Sequence, residues 1–99
     1  MSRVKLDLNS STFQRSLFAL ENNEKLRVLN ALEKITRLTW QELYAGRGLQ
    51  WESINSSTGR SGEQLYSFRV SLKTRAVARR IGDFLVLNSI HPDHDSAYH

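Results

Sequence analysis

Three arginines, Arg69, Arg75 and Arg79, fall at alternate positions of two segments whose patterns predict β-strands. In residues 64–71 the apolar side chains alternate with polar ones that include Arg69, and in residues 75–81 Arg75 and Arg79 alternate with alanines. Small alanines suit the side of a sheet that packs against helices, so we expect the three arginines to share the other, solvent-exposed side. Planar guanidinium groups bind phosphate oxygens in pairs, which predicts a phosphate-binding surface. The alternative is a sheet face whose charges only keep the protein soluble.

The surrounding segment is strongly basic. The stretch from Arg69 to Arg80 also contains Lys73 and has no acidic residue, whereas the whole chain carries 14 Lys and Arg against 10 Asp and Glu. Such a local concentration of positive charge favours an anionic partner. The candidates are nucleic acid, a phosphate-rich surface and an acidic protein tail.

A second group of candidate residues lies at the C-terminus, where all three histidines fall within the last nine residues. The spacing of His94 and Tyr98 would place them on one side of a final helical turn, and His91 would end the last strand. Histidine titrates near neutral pH and tyrosine can donate a proton, so these residues suit general acid–base catalysis. Asp95 would orient or stabilise a protonated His94.

Two other interpretations of this C-terminal segment remain open. It would be a polar tail without catalytic function, or His91, Asp93 and His94 would bind a metal ion. Ligands this close in sequence, without a distant fourth, are weak evidence for a metal site. We therefore expect neither a metal nor another cofactor.

The periodicity of the chain predicts the elements that position these residues. Alternation in residues 3–8 indicates a strand, apolar residues at helical spacing indicate helices over Ser11–Glu21 and Asn23–Leu38, and alternation returns after Gly48. Ser11 and Gln14 would form a capping box for the first helix. Residues 39–44 show a decaying helical pattern, and residues 55–63 are expected to form a polar loop. Strands are expected over 49–54, 64–71, 75–81 and 84–90, the last central in the sheet.

The expected architecture is of the α+β class, with a two-helix hairpin packed on one face of a small, mostly antiparallel five-stranded sheet. With 99 residues, the chain fits one domain over residues 1–99. The absence of cysteine excludes disulfides and thiolate chemistry, and no apolar run is long enough to span a bilayer. No apolar export signal follows Met1, so a cytoplasmic location without membrane contact is expected.

Aromatic residues are concentrated around Trp40, Leu43, Tyr44 and Trp51. Aromatic side chains often anchor interfaces, so this region is a candidate edge for packing an acidic partner segment. The alternative is that both tryptophans fill the core.

Taken together, the segments 68–75 and 93–98 give the chain a resemblance to the RelE/ParE toxin superfamily. The basic strand with aromatic residues, the hydrophobic final strand and the ending with Tyr98 resemble the RelE-like branch of ribosome-dependent mRNA interferases. Departures from the family pattern are Ser71 in place of a glycine, one extra residue in the following turn, Thr74 in place of an aromatic residue, and His94 in place of an arginine.

The resemblance implies a RelE-like toxin domain that is inhibited by a cognate antitoxin protein and cleaves messenger RNA on the ribosome. The implied reaction is attack of a ribose 2′-hydroxyl on the adjacent phosphate without a metal ion. The roles this implies are charge stabilisation by Arg69, Arg75 and Arg79, proton transfer by His91 or His94, and stacking or proton donation by Tyr98. The implied RNA contacts are Lys73, Arg80 and Asp95.

Two other functions share this fold. A ParE-like protein would inhibit DNA gyrase, and a degenerate member would only bind RNA or an antitoxin. The ending with histidines and tyrosine favours the nuclease interpretation.

Overall fold

The computed structural model describes residues 2–46, 48–58 and 64–92, which contain three helices and five strands. In chain order these are β1 (Lys5–Asp7), α1 (Ser11–Phe18), α2 (Asn22–Thr36), α3 (Trp40–Tyr44), β2 (Glu52–Thr58), β3 (Gln64–Arg69), β4 (Arg75–Ile81) and β5 (Phe84–His91). None of these helices is long and apolar enough to cross a membrane.

The five strands form one sheet in the order β1-β5-β4-β3-β2. β1 pairs with β5 in parallel, and the other three pairings are antiparallel. The predicted five-stranded, mostly antiparallel sheet is therefore confirmed, and β5 lies inside the sheet as expected.

One face of the sheet packs against the helices and forms the core. Phe68, Ala76, Ala78, Leu87 and Ile90 lie on this face. They pack against apolar residues of the helices and loops; those buried at least 99% are Phe13, Val28, Ile35 and Leu43. The alanines of β4 lie on the helix side, as their size predicts. We call the opposite side of the sheet the outer face.

The first helix is shorter than predicted and has a different cap. It ends at Phe18 instead of Glu21, and its N-cap is Ser10, whose hydroxyl accepts a hydrogen bond from the Phe13 amide. The predicted capping box of Ser11 and Gln14 is therefore wrong, because Ser11 is already the first helical residue and the Gln14 side chain donates to the carbonyl of Leu8.

A third helix replaces the predicted decay of helical structure in residues 39–44. The Thr39 hydroxyl accepts from the Glu42 amide and the Glu42 carboxylate accepts from the Thr39 amide, which is a complete capping box. The second helix also ends earlier than predicted, at Thr36. The cap at Thr39 explains why α3 starts so soon after the end of α2.

The strands after Gly48 differ from the prediction mainly at their ends. β2 begins at Glu52 and continues to Thr58, so it includes residues predicted to be loop. β4 has the predicted bounds, and β5 continues to His91. A two-residue turn joins them at Gly82, whose φ of 60° lies in the left-handed region that glycine adopts most readily.

Candidate functional site

A row of basic residues crosses the outer face at one end of the sheet. Arg69 of β3 is the direct cross-strand partner of Arg75 in β4, and Arg75 is the direct partner of His91 in β5. Directly paired residues share a sheet face. The sequence-based prediction that Arg69, Arg75 and Arg79 share the face opposite the helices is therefore confirmed, and His91 joins them. We call Arg69, Arg75 and His91 the cationic row.

Arg75 is buried, contrary to the expectation of an exposed arginine on a solvated sheet face. Its side chain is only 6% exposed. One nitrogen, Nη2, donates to the Ser67 hydroxyl at 2.8 Å and to the Gln50 carbonyl at 3.0 Å. Residues from β3 and from the loop before β2 thus enclose the guanidinium group, and this convergence from distant parts of the chain is the reason for its burial.

Arg75 also has bonding capacity that the described residues do not use. Its Nε–H is buried and has no acceptor within the described part of the chain. The Glu52 carboxylate lies 3.8 Å from Nη2, and its side chain is 55% exposed. The guanidinium is held in place on one side, with an exposed anion beside it. An arginine fixed in this way can bind an anion with little reorganisation.

His91 is half-buried and is oriented by a neighbour on its own strand. Its Nε2 lies 2.9 Å from the Ser89 hydroxyl. This contact occupies one of the two ring nitrogens. Strands are about 4.8 Å apart in a sheet, so the cationic row spans about 10 Å between Arg69 and His91.

The other predicted basic residues lie at different distances from the cationic row. Arg79 is on the outer face in register with Leu65 and Val86, and is therefore four residues further along β4. Lys73 is exposed in the turn between β3 and β4. The structure does not bring Arg80 into this group.

Arg80 lies on the helix side of the sheet, because its position in β4 has the opposite parity to Arg75 and Arg79. Its guanidinium carbon is 4.1 Å from the centre of the Trp40 ring, and its Nη1 donates to the Tyr44 hydroxyl. The interpretation of Arg80 as an RNA contact beside the three arginines is therefore not supported by its position.

The turn that carries Lys73 is fixed to the start of α2. The Glu24 carboxylate accepts hydrogen bonds from the hydroxyls of Thr74 at 2.7 Å and Ser71 at 2.8 Å, and it pairs with Arg27. The Thr74 hydrogen bond, followed by those from Ser71 and Arg27, lowers the pKa of Glu24 below its ordinary value of 4.5. Glu24 thereby anchors the turn that immediately precedes Arg75.

The aromatic region divides between core and surface. Trp40 and Leu43 are buried, as the core interpretation predicts, whereas Tyr44 is 42% exposed and Trp51 is half-buried. Trp51 stacks on Tyr66 with 4.7 Å between ring centres. Burial, assisted by the hydrogen bond with Tyr44, raises the pKa of Tyr66. Only Tyr44 and Trp51 of the predicted interface residues reach the surface.

A groove of about 570 Å³ reaches Arg69 from the helix side. It lies between α2 and the end of β3 and is bordered by Arg27, Lys34 and Leu49 in addition to Arg69. Arg75 and His91 do not border it. Arg69 therefore belongs to the cationic row and also borders this groove.

The predicted roles of His94, Asp95 and Tyr98, and the alternative metal site that includes Asp93 and His94, lie outside the described residues. Within the ranges that the structure describes, no three His, Asp or Glu side chains form a group able to hold a metal ion.

Four residues that complete the surroundings of the cationic row gave no signal in the sequence. They are Gln50, Glu52, Ser67 and Ser89. Ser67 and Ser89 occupy the polar positions of alternating strands, which sequence alone cannot distinguish from solvated serines. The parity of β3 and the register with β4 would be needed to place Ser67 beside Arg75.

Comparison with known proteins supports the fold. No protein-family model and no curated protein matches this chain. Among solved structures, the chain is similar to one from an archaeal RelE–RelB complex of Pyrococcus horikoshii OT3, with a TM-score of 0.62 and 13% identity, over 93% of this chain and 96% of that one. A copper-bound mutant toxin from Helicobacter pylori matches with a TM-score of 0.47 and 16% identity, over 96% and 98% of the two chains. The three helices and the mostly antiparallel sheet have the RelE-like α+β fold.

Proposed function

We propose that this chain is the toxin of a toxin–antitoxin module and that it cleaves messenger RNA on the ribosome. The observation that carries the proposal is the cationic row, in which Arg75 is the direct cross-strand partner of both Arg69 and His91 on the outer face. The RelE-like fold and the resemblance of the segments 68–75 and 93–98 support it. The similar archaeal chain was solved as a RelE–RelB complex, which supports a protein antitoxin as the partner here. The site of action would be cytoplasmic.

The reaction begins when the 2′-oxygen of a ribose attacks the adjacent phosphorus. The 2′-hydroxyl loses its proton to a base, the bond from phosphorus to the 5′-oxygen breaks, and that oxygen takes a proton from an acid. The products are a 2′,3′-cyclic phosphate and a free 5′-hydroxyl. Negative charge increases on the phosphoryl oxygens in the transition state, so cations fixed beside them accelerate the reaction.

Arg75 is the principal phosphate-binding group in this proposal, with Arg69 beside it. Arg75 is already oriented by Ser67 and Gln50, so little reorganisation accompanies binding. Arg79 and Lys73 would contact neighbouring phosphates of the same strand. An arginine stays protonated and is a poor base. Proton transfer is therefore assigned to His91, together with His94 and Tyr98 as the sequence predicts.

Glu52 acts in this proposal as the resting counter-ion of Arg75. An entering phosphate would take its place, because the carboxylate is half exposed and only 3.8 Å from Nη2. Glu52→Gln should then strengthen the binding of a short single-stranded RNA several-fold at low salt. If Glu52→Gln abolished cleavage without changing RNA affinity, Glu52 would instead be a catalytic base.

The direct test is cleavage of a defined mRNA by the purified chain on programmed ribosomes. Arg69→Ala and His91→Gln should each slow single-turnover cleavage about 100-fold or more, the usual effect of removing a transition-state contact or a proton-transfer group. Arg37→Ala is the matched control, since Arg37 is the C-cap residue of α2 and its side chain is 69% exposed. The 3′ end of the product should resist periodate oxidation, as a cyclic phosphate does.

Unchanged cleavage by both Arg69→Ala and His91→Gln would refute the assigned site. If the wild-type chain cleaved no mRNA but blocked supercoiling by DNA gyrase, the ParE-like alternative would replace the nuclease. If it bound RNA or an antitoxin and did neither, it would be a non-catalytic member of the fold.

A further inference from the structure

The groove between α2 and the end of β3, which we call the α2 groove, is positively charged on both sides. One stripe of α2 borders it, formed by Arg27, Asn30, Ala31 and Lys34. These positions are three or four residues apart, so they lie on one side of the helix. Arg69 borders the groove from β3, and none of the described residues that border it is acidic. The α2 groove therefore favours an anionic ligand.

The α2 groove also has apolar residues on its border. Leu49 and Val70 are buried there, whereas Leu72 is 87% exposed. Leu72 lies in the turn between β3 and β4, which backbone hydrogen bonds between Ser71 and Thr74 close without it. Turns usually place polar residues or glycine at such positions. A groove of about 570 Å³ that offers cations and an exposed apolar side chain suits a nucleotide, which has a phosphate and a flat base.

Contacts between the bordering residues fix the shape of the α2 groove. The Glu24 carboxylate accepts a hydrogen bond from the Ser71 hydroxyl and pairs with Arg27 at 2.8 Å, which joins the turn to α2. The Arg27 side chain is nevertheless 61% exposed. At the other end, a methyl group added to Gly48 would lie 3.7 Å from the Lys34 amine, so this amine faces the loop before β2. The groove is therefore formed without a ligand.

The α2 groove is continuous with the cationic row through Arg69. Arg69 is the direct cross-strand partner of Arg75 and also borders the groove, whereas Arg75 and His91 do not border it. An RNA strand with one phosphate at Arg75 can therefore pass Arg69 and enter the groove without leaving positive charge. Proteins that bind single strands combine such a basic path with side chains on which bases pack.

We propose that the α2 groove binds the nucleotide next to the one held at the cationic row. Arg27 and Lys34 contact its phosphate, and Leu72 packs against its base. The Asn30 side chain, which can donate and accept hydrogen bonds, faces the same nucleotide. This inference rests on the proposed function, because the nucleotide belongs to the strand that the cationic row would cleave. It makes RNA affinity depend on α2 as well as on the outer face.

The test measures the affinity of the full chain for a single-stranded RNA of about eight nucleotides by fluorescence anisotropy. The probe carries 2′-O-methyl groups, so it has no attacking hydroxyl and affinity is measured without cleavage. Asn30→Asp should weaken binding about 5-fold or more at low salt, because it places a negative charge beside the phosphate. Asn30→Lys adds a phosphate contact and should steepen the plot of log affinity against log salt concentration by about 0.7.

Thr36→Asp and Thr36→Lys are the matched controls for charge. Thr36 is exposed on α2 and follows Arg27 by nine residues, which is two and a half turns and places it on the opposite side of the helix. Both controls should leave the affinity and its salt dependence unchanged, and circular dichroism should show that all variants fold. Leu72→Ser should weaken the binding of RNA and leave the binding of inorganic polyphosphate, which has no base, unchanged.

Equal effects of the Asn30 and Thr36 substitutions would overturn the proposal, because net charge alone would then explain them. An RNA affinity unchanged by Leu72→Ser, or an equal loss of RNA and polyphosphate binding, would overturn the contact between Leu72 and the base. Absence of probe binding by the wild-type chain would overturn the groove as an RNA site. If the chain cleaves mRNA on ribosomes and the Asn30 variants bind normally, only this inference fails. If the Asn30 effects appear without cleavage, only the nuclease proposal fails.

Discussion

Replacing Arg75 by alanine should destabilise the protein by about 2–3 kcal/mol, even though Arg75 is proposed to act on RNA. The side chain is 6% exposed and belongs to the interior of the site. A buried arginine that is hydrogen-bonded on one side contributes to folding as well as to binding. This reverses the expectation from the sequence that folding would be little affected.

The magnitude follows from the contacts of Nη2. Its two hydrogen bonds, to Ser67 and to the Gln50 carbonyl, each involve a charged donor and contribute about 1.5 kcal/mol net. The ion pair with Glu52 adds little, because that carboxylate is 55% exposed and screened by water. The two hydrogen bonds together contribute about 3 kcal/mol. The cost of removing the guanidinium group from water, which the alanine variant avoids, offsets part of this contribution.

The assay is urea unfolding followed by circular dichroism, with Arg69→Ala as the matched control. Arg69 is on the neighbouring strand of the same row but is only half-buried, so its replacement should cost less than about 1 kcal/mol. The double variant Arg75→Ala/Ser67→Ala should show a coupling energy of about 1 kcal/mol. A loss below about 0.5 kcal/mol for Arg75→Ala would refute the assignment of Arg75 as a buried, hydrogen-bonded residue.

Three further predictions concern pH, a helix cap and a turn. The pKa of Glu24 is lowered in the folded state, so the stability that its carboxylate contributes should be present above the ordinary pKa of about 4.5 and lost as the pH falls through the folded value. Glu24→Gln should therefore cost about 1–2 kcal/mol at pH 7 and much less at pH 3, as measured by urea titrations at the two pH values. Thr39→Ala removes the cap of α3 and should lower the free energy of unfolding by about 1 kcal/mol, whereas the exposed Thr36→Ala nearby should change it by less than half of that. Gly82→Ala should cost about 1 kcal/mol in thermal unfolding, since an added Cβ meets no atom within 4 Å and only the left-handed φ of 60° opposes it; a neutral result would contradict this turn geometry.

The parts of the fold that the sequence predicted are those fixed by short-range periodicity. The alternation of alanine and arginine in β4 correctly indicated the strand and the side of the sheet on which Arg75 and Arg79 lie. The same parity rule places Arg80 on the helix side, although charge alone had grouped it with the others. The sequence analysis did not predict the third helix, although Thr39 and Glu42 have the spacing of a capping box. The apolar periodicity weakens after α2, and a capping box alone is too short a motif to indicate a new helix.

The surroundings of Arg75 could not be predicted from the sequence. Its burial depends on Ser67 and Gln50, which reach it only through strand register and through the path of the chain before β2. Gln50 has a positive φ of 49°, a conformation that local sequence does not favour for glutamine. Long-range pairing and an unusual backbone conformation therefore determine the site, and neither leaves a periodic signal.

The parallel pairing of β1 with β5 has a consequence for how the chain folds during synthesis. It joins Lys5–Asp7 to Phe84–Val86, which are roughly 80 residues apart, so this contact has a large loop-closure entropy and forms only when almost the whole chain is available. Until β5 has been made, β1 has no strand partner. Once made, β5, the strand with buried Leu85, Val86 and Leu87, has no neighbour on that side until β1 pairs with it. A chain shortened at its N-terminus past Leu8 would keep that edge permanently unpaired, and exposed apolar strand edges are where chains aggregate. The three-residue strand β1 thus protects the most apolar strand of the sheet from other copies of itself.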